Sequence, residues 1–426
     1  MFKKNRQKFF QLIEKHPAII IGGMPILRNG DVHYQFRQIS NFYYLTGFDF
    51  PNAIAVFIPG KKNKYVLFAE IYDQKKILWE GESYNAKELA QRYKADAVYD
   101  IKDFAEKISP LMQNNKNIFS NIEIDNQHAQ LLKKLISKRS FNNKKIKIDN
   151  PITIFSKMRT YKSEDEIILL KKAISITNQA LLKTTKNMKA GMYEYQLQGI
   201  FEGKCSELHA SRQGFPPIIA TGNNACTLHY TKNQSKLKNG DLILFDVGAE
   251  FGYYSADVSR TIPVNGKFSA SQAKIYQIVL DAQNNGIKKA IPGNTLGDVH
   301  SAAVDTIYQG LTKIGIIKNK ETLMKNKYKL ITPFFPHATS HWLGLDVHDL
   351  GVYSKDKRLT KLTSGMIITV EPGLYFSNKL KIPKKYQGIG VRIEDDILIT
   401  KNGNINLSKK FPRTIKAIEK ILAQKS

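Results

Sequence analysis

Residues 242–260, LILFDVGAEFGYYSADVSR, contain an apolar run that includes Asp246, a glycine-containing turn, and a second run that follows Asp257. Apolar and β-branched runs separated by such a turn predict two strands that form a hairpin. A hairpin would place Asp257 beside Asp246, and two ionised carboxylates at that distance repel unless a cation lies between them. Taken alone, the pair fits a metal site and two ordinary turn aspartates equally well.

Three of the nine histidines of the chain, His337, His341 and His348, lie within residues 337–349. Ala338 follows the first histidine, so the H-E-x-x-H zinc helix is absent. A single histidine here would more often be a packed core residue. Three histidines on a short, apolar, glycine-containing stretch indicate a site instead.

Two strand-like segments add carboxylates. Glu371 ends an apolar run at a Pro-Gly turn, and Arg392 and Glu394 alternate along residues 388–396, so they share one face of a strand. A surface ion pair would explain Arg392 and Glu394, but their apolar flanks favour burial, where the pair needs a further partner.

Four carboxylates and one imidazole from separate strands suit a pair of divalent cations. An oxygen-rich set with a single nitrogen favours Mn²⁺ or a similar hard metal over a structural zinc. Two such ions can share a water molecule, lower its pKa and clamp the attacking and departing atoms.

The composition excludes several classes of protein. The chain has 426 residues, which predicts two or three domains, and its 42% hydrophobic content excludes a mainly disordered chain. Two cysteines cannot build a disulfide scaffold or a four-thiolate zinc site. The charged start resembles a signal peptide, but Glu14, Lys15 and His16 interrupt it, and no run is long enough to span a membrane. We therefore expect a soluble, cytoplasmic protein.

The net charge of +28 is spread along the chain. Residues 1–158 contain 26 Lys and Arg against 15 Asp and Glu, and residues 159–426 contain 39 against 22. A nucleic-acid-binding protein more often clusters its basic residues. We expect a solvated basic surface and no specific nucleic-acid partner.

The order of elements predicts an α/β domain over residues 1–158. Strands predicted at 18–22, 42–46, 53–59, 64–69, 96–99 and 117–122 alternate with helices predicted at 86–93, 103–112 and 126–138. The basic, Asn-rich stretch 138–151 precedes the expected boundary.

A second domain, 159–426, begins with a long helix that the capping box Ser163–Glu166 introduces. Further helices are predicted at 271–290 and 296–314, and strands at 242–247, 366–370 and 389–393. Phosphate-binding glycine loops and the G-x-S-x-G elbow are absent.

The candidate residues occur in the order found in one family. Asp246, Asp257, His341, Glu371 and Glu394 resemble the five-ligand signature of metallopeptidases with the pita-bread fold. Within that group, HATSHWLGLDVHD (337–349), VEPGLY (370–375), GIGVRIED (388–395) and RNGDVHYQFRQISNFYYLTG (28–47) resemble the aminopeptidase P, or Xaa-Pro aminopeptidase, family. The resemblance implies an α/β N-terminal domain followed by an α+β pita-bread catalytic domain. Methionine aminopeptidases are shorter, and prolidases share the ligands but usually lack tryptophan at the position of Trp342.

The resemblance also implies roles for individual residues. It makes the five signature residues metal ligands, with Asp257 and Glu394 bridging two ions. The residues outside the ligand set are His229, His337 and His348 on the substrate side, Arg392 orienting a ligand carboxylate, Arg358 at the rim, and Trp79, which a neighbouring subunit would offer to the pocket. The lysine-rich segment 318–329 receives no role.

The implied activity is removal of the N-terminal residue from peptides with proline in the second position. A metal-bridging hydroxide would attack the carbonyl, His348 would stabilise the oxyanion, and Glu371 would transfer a proton to the proline nitrogen. A homo-oligomer, dimer or tetramer, is expected. Two alternatives remain: a prolidase that cleaves Xaa-Pro dipeptides, and a metal-free pita-bread scaffold that binds RNA or protein. Retention of all five ligand residues disfavours the scaffold.

Overall fold

The computed structural model describes residues 1–60, 62, 64–81, 84–140, 146–318 and 327–424. The chain divides into two compact units, Met1–Met158 and Arg159–Ser426. Within the described ranges, none of the helices combines the length and the apolar character that crossing a membrane requires. Residues 319–326 of the lysine-rich segment lie outside the described residues.

The first unit is built on a mixed sheet whose strand β1 is completely buried. The strands are β1 (Ala18–Ile21), β2 (Leu27–Asn29), β3 (Val32–His33), β4 (Ala53–Ile58), β5 (Lys64–Ala69), β6 (Ala97–Asp100), β7 (Asn117–Ser120) and β8 (Lys147–Asp149). The sheet order is β6-β5-β4-β1-β7-β8, and β2 pairs with β3 separately. Isoleucines of β1 pack with Phe104 and Ile108 in one core cluster, as an apolar central strand requires.

The helices of this part of the chain are α1 (Phe2–Ile13), α2 (Ser40–Thr46), α3 (Gln74–Glu80), α4 (Ala86–Tyr93), α5 (Phe104–Asn114), α6 (Gln127–Ser140) and α7 (Ile152–Thr160). The strand predicted at 42–46 is wrong, because this segment is helix α2. Gly47 ends α2 in the left-handed conformation, with φ 69°, and its N–H donates to the carbonyl of Tyr43. The aromatic run therefore follows a helical period.

The second unit combines helices with small antiparallel sheets. The helices are α8 (Glu164–Asn187), α9 (Glu194–Glu207), α10 (Ala270–Lys289), α11 (Leu296–Lys313), α12 (Lys327–Ile331) and α13 (Ile415–Ala423). The predicted capping box of α8 is present, with the Ser163 N–H donating to Glu166 Oε2 at 2.8 Å. Helices α10 and α11 pack so closely that a Cβ on Gly310 would lie 2.7 Å from both Ile278 Cγ atoms.

The strands of this unit bring distant segments together. They are β9 (Arg212–Gln213), β10 (Ile218–Thr221), β11 (Leu242–Val247), β12 (Ala249–Phe251), β13 (Tyr254–Ser255), β14 (Val258–Pro263), β15 (Ser354–Lys355), β16 (Arg358–Leu359), β17 (Ile367–Val370), β18 (Gly373–Phe376), β19 (Ile389–Arg392), β20 (Asp395–Thr400) and β21 (Gly403–Asn406). The sheets have the orders β10-β11-β14, β13-β12-β9, β17-β20-β21, β18-β19 and β15-β16. Strands β11, β14, β17, β18 and β19 are buried along their whole length, so polar side chains on them are shielded from bulk water.

Candidate metal centre

The two aspartates of the opening stretch lie at the same end of one antiparallel strand pair. Strand β11 pairs with β14, and Asp246 is opposite Ser259, which agrees with the predicted hairpin. Asp257 immediately precedes β14, and its N–H donates to Asp396 Oδ2 at 3.2 Å. Both aspartates are buried. The register of this pair therefore fixes two carboxylates at the same end of the sheet.

Segment 339–342 runs beside β17 and brings a histidine to the same place. The His341 N–H donates to Thr369 Oγ1 at 3.1 Å, and the Thr369 N–H donates to the His341 carbonyl at 3.0 Å. The Glu371 N–H donates to the Thr339 carbonyl at 2.8 Å. These backbone contacts hold Glu371 and His341 side by side.

The His341 imidazole directs its Nε2 toward the carboxylates. Its Nδ1 lies 3.0 Å from the Trp342 carbonyl, which can only accept, so Nδ1 carries the proton. Its Nε2 lies 3.4 Å from Asp257 Oδ2 and 3.5 Å from Glu371 Oε1. A backbone carbonyl that fixes the tautomer in this way is typical of metal-binding histidines.

Arg392 and Ser259 organise the remaining carboxylates. Arg392 donates from Nη2 to Asp246 Oδ2 at 2.5 Å, from Nε to Ser259 Oγ at 2.9 Å and from Nη1 to the Tyr375 hydroxyl at 2.9 Å. Ser259 in turn donates to Glu394 Oε2 at 2.8 Å. Each of the three guanidinium nitrogens thus donates to a neighbouring side chain.

The same network reaches His337. The Tyr375 hydroxyl lies 2.9 Å from His337 Nε2, and His337 Nδ1 lies 2.8 Å from the Ala338 carbonyl. Nδ1 therefore donates, and Nε2 accepts from Tyr375. Burial and the charge of Arg392 lower the pKa of His337 to about 4, so the ring is neutral at physiological pH. With both nitrogens engaged, the ring offers an apolar face.

The carboxylates themselves are crowded. Ligand atoms of Asp257, His341 and Glu394 all lie within 4.8 Å of one another. Burial, followed by repulsion from neighbouring carboxylates, raises the pKa of Asp257 and of Glu394 well above the usual range. Burial also raises the pKa of Glu371. A cation would remove this cost.

The donor set fits a divalent cation by a second criterion. Asp246 Oδ1 and Glu394 Oε1 are buried and have no hydrogen-bond partner among the described residues, although their other oxygens are bonded. A buried carboxylate oxygen without a donor is costly. Four carboxylates with one imidazole therefore form a site suited to hard divalent ions.

The cavity at this centre has a volume of about 230 Å³ and unites most of the predicted residues. Its walls include Leu228, His229, Asp246, Asp257, His337, Ala338, Ser340, His341, His348, Glu371, Arg392 and Glu394. Burial and the neighbouring His341 and His229 lower the pKa of His348. Arg358, exposed on β16, and Trp79, exposed on α3, do not line this cavity.

Tyr375 and Ser259 contact the candidate ligands but were not among the residues predicted from sequence. The pattern of residues 373–375 could have indicated Tyr375, because it alternates with Gly373 on β18, and Gly373 is opposite Arg392. A Cβ on Gly373 would lie 2.4 Å from the Tyr375 hydroxyl oxygen, so glycine leaves room for that hydroxyl. Ser259 carried no comparable signal beyond its place two residues after Asp257.

Comparison with known proteins gives consistent matches along the chain. The family model described as metallopeptidase family M24 matches residues 168–401, and the aminopeptidase P N-terminal domain matches residues 2–119. The chain is 33% identical to the Xaa-Pro aminopeptidase of Escherichia coli, covering 99% of this chain and 97% of that protein. It is 35% identical to the Xaa-Pro aminopeptidase of Haemophilus influenzae, covering 99% and 96%. The structure of zinc-substituted E. coli aminopeptidase P in complex with product matches with a TM-score of 0.95 at 33% identity, covering 100% and 98%.

Proposed function

This chain belongs to metallopeptidase family M24, and we propose that it is a Xaa-Pro aminopeptidase, which releases the N-terminal residue from peptides with proline in the second position. The resemblance stated from sequence is confirmed, as is the two-part α/β and α+β architecture. The metal-free scaffold has no support. The observation that carries the proposal is the cavity that unites the five signature residues with three histidines.

The proposed cofactor is a pair of divalent ions, with Mn²⁺ as the preferred metal. Asp246, Asp257, His341, Glu371 and Glu394 would hold them, with Asp257 and Glu394 shared between the two. When bound, such ions polarise the scissile carbonyl and lower the pKa of a water molecule. The buried, unpartnered oxygens of Asp246 and Glu394 support this assignment.

Glu371 and His348 are the proposed catalytic groups of the chain itself. Glu371 lines the cavity beside His341, where its carboxylate could take a proton from the attacking water and pass it to the departing proline nitrogen. His348 lines the same cavity and would donate a hydrogen bond to the carbonyl oxygen as negative charge develops there.

Proline selectivity is assigned to the histidine faces. His337 has both nitrogens engaged, so it presents its ring to the cavity, and His229 lines the same cavity. A flat apolar wall suits the proline ring. An ordinary peptide would bring an extra N–H, and leaving that donor unpaired costs about 1–3 kcal/mol.

The cavity favours the aminopeptidase over the prolidase alternative. A dipeptidase has to hold the carboxylate of its proline, which requires an available cation. Arg392 is the only Lys or Arg among the described residues that line the cavity, and its guanidinium already bonds Asp246, Ser259 and Tyr375. Longer peptides are therefore the proposed substrates.

Several further assignments complete the proposal. Residues 1–158 form the aminopeptidase P-like N-terminal domain and residues 159–426 the catalytic domain. The enzyme is cytoplasmic and a homo-oligomer, a dimer or a tetramer. Trp79 is 79% exposed, which suits a side chain offered to a neighbouring copy, and the exposed Arg358 is assigned to the rim. Sedimentation of wild type and Trp79→Ala tests the oligomer.

A three-peptide assay tests the function. Ala-Pro-Ala, Ala-Pro and Ala-Ala-Ala are compared with and without added Mn²⁺, after removal of bound metal by a chelator. We expect Mn²⁺-dependent cleavage of Ala-Pro-Ala, weak cleavage of Ala-Pro, and very little cleavage of Ala-Ala-Ala. If Ala-Pro were the best substrate, the prolidase hypothesis would replace this proposal. If cleavage did not require metal, the proposed metal centre would be refuted.

A further inference from the structure

We infer that Arg159 is a positioning residue for catalysis: through Asp349 it holds the backbone next to His348 and thereby fixes where the His348 imidazole stands. Arg159 does not line the cavity of the metal centre. The inference rests on the role proposed above for His348.

The Arg159 guanidinium forms a buried ion pair with the residue that follows His348. Its Nε donates to Asp349 Oδ1 at 3.1 Å, and its Nη2 donates to the same oxygen and, at 2.6 Å, to Asp346 Oδ2. Arg159 is 2% exposed and Asp349 is 5% exposed. A charge-assisted pair of this kind, removed from water, holds its partners in a narrow range of positions.

A second cation and two glycines tighten the same contact. Lys162 Nζ lies 3.1 Å from Asp349 Oδ2, so both carboxylate oxygens face a cation. A Cβ on Gly344 would lie 2.2 Å from Asp349 Oδ2, and one on Gly351 would lie 2.3 Å from Trp342 Cδ1. Glycine thus leaves room for Asp349 at position 344 and for Trp342 at position 351.

Backbone contacts tie the loop to residues 159–162. The Asp349 N–H donates to the Trp342 carbonyl at 2.9 Å, and the Val352 N–H donates to Thr160 Oγ1 at 3.0 Å. The Lys162 N–H donates to the Gly365 carbonyl at 2.8 Å. Arg159 therefore belongs to a segment whose hydrogen bonds hold the loop of residues 342–352 in one conformation.

The two histidines of this loop depend on Arg159 to different degrees. His341 is held by its own bonds to Thr369 on β17. Among the described residues, the His348 ring has no side-chain hydrogen bond, and it lies edge-on to the His341 ring with centroids 4.4 Å apart. Loss of Arg159 should therefore displace His348 while His341 keeps its place as a proposed metal ligand.

A double-mutant cycle tests this separation. Arg159→Gln, His348→Ala and the double variant are compared for kcat and KM on Ala-Pro-Ala and for Mn²⁺ affinity by calorimetric titration. Displacement by about 1 Å can cost roughly 100-fold in rate, so we expect Arg159→Gln to lower kcat by about 10–100-fold. We expect KM and Mn²⁺ affinity to remain close to wild type. In the His348→Ala background, Arg159→Gln should add less than about a threefold loss, because the group it positions is already gone.

Three outcomes would overturn the inference. Wild-type kcat in Arg159→Gln would do so, as would an equal loss in both backgrounds, since that loss would not pass through His348. If His348→Ala itself keeps wild-type activity, the proposed role of His348 fails and this inference falls with it. An impaired His348→Ala combined with additive losses leaves the proposed function intact and refutes only the positioning role.

Two further variants serve as controls for an effect of Arg159→Gln on folding. Arg212 pairs with the buried Glu250 away from the cavity, so Arg212→Gln removes a comparable contact and should leave kcat unchanged. Arg159→Lys keeps the charge but loses the planar fork, and we expect it to recover part of the lost kcat. If circular dichroism shows Arg159→Gln unfolded, the same cycle with Arg159→Lys decides the question: its loss of kcat should disappear in the His348→Ala background, and an equal loss there refutes the inference.

Discussion

The carboxylate of Asp257 stands among other carboxylates: Asp246, Glu371, Glu394 and Asp396. We expect Asp257→Asn to abolish cleavage of Ala-Pro-Ala and to lower the metal content of the protein. The melting temperature of the metal-free variant should exceed that of metal-free wild type, because one repelling charge is gone. The stabilisation that Mn²⁺ gives wild type should largely disappear.

Melting curves with a chelator and with added Mn²⁺, together with metal analysis, check these expectations. Asp281→Asn, on the outer part of α10, is the control, because it removes a carboxylate outside the cavity. A fully active Asp257→Asn enzyme would refute the proposed centre.

Arg392 is engaged in a way that lysine cannot copy. Its three donor nitrogens bond Asp246, Ser259 and Tyr375, whereas an ammonium is a compact point charge. We expect Arg392→Lys to reduce activity or metal affinity by about 10–100-fold, as is typical for residues that orient ligands. Steady-state kinetics and metal titration measure the loss, with Arg212→Lys as the matched control. Wild-type values in both assays would show that the fork is dispensable.

Individual residues of the centre were predictable to different degrees. Asp246 and Glu371 each close an apolar run, so the local pattern marks them. Tyr375 acts through Arg392 and His337, and these contacts exist only once β18 pairs with β19. Arg159 and Asp349 are separated by 190 residues, and no local pattern links them. Long-range partners of this kind are invisible to spacing arguments.

Helices and strands were predicted well where the hydrophobic periodicity and the capping or turn residues indicated the same bounds. Strand β5 and helix α4 match their predicted bounds, and the capping box marks the start of α8. Helix α1 was missed because polar residues occupy its buried face: Asn5 donates to the Tyr44 carbonyl at 3.0 Å, and Arg6 donates to the Leu45 carbonyl at 2.9 Å. Those contacts hide the apolar period.

The packing of α10 against α11 gives a prediction for an element. Replacing a helical glycine by alanine usually gains about 1 kcal/mol of helix stability. At Gly310 the new methyl would lie 2.7 Å from both branches of Ile278, and overpacking costs about 1–3 kcal/mol. We therefore expect Gly310→Ala to lower the melting temperature.

Gly199 on α9 provides the matched control, because no atom beyond the adjacent residues and backbone of its own helix lies within 4 Å of the position its Cβ would take. Gly199→Ala should leave the melting temperature unchanged or raise it. A higher melting temperature for Gly310→Ala would mean that the helices can separate without cost.

On the scale of the whole molecule, the positive charge is large but dispersed. The excess of basic residues is present in both 1–158 and 159–426. Dispersed charge gives weak association with nucleic acid that weakens steeply with salt. We expect a fluorescently labelled RNA to bind weakly at about 50 mM salt and to be released by about 200 mM. Submicromolar binding that persists at the higher salt would contradict this expectation.

The chain contains two tryptophans, and they divide between its two units in opposite surroundings. Trp79 is 79% exposed, whereas Trp342 is completely buried beside Gly351 and next to His341. Intrinsic fluorescence should therefore contain a red-shifted component, open to quenching by iodide, from the first unit and a blue-shifted, protected component from the second. Because the two emission components differ in wavelength, a single unfolding experiment would follow each unit separately. If raising the protein concentration protected the red-shifted component from iodide quenching, another copy of the chain would be covering Trp79.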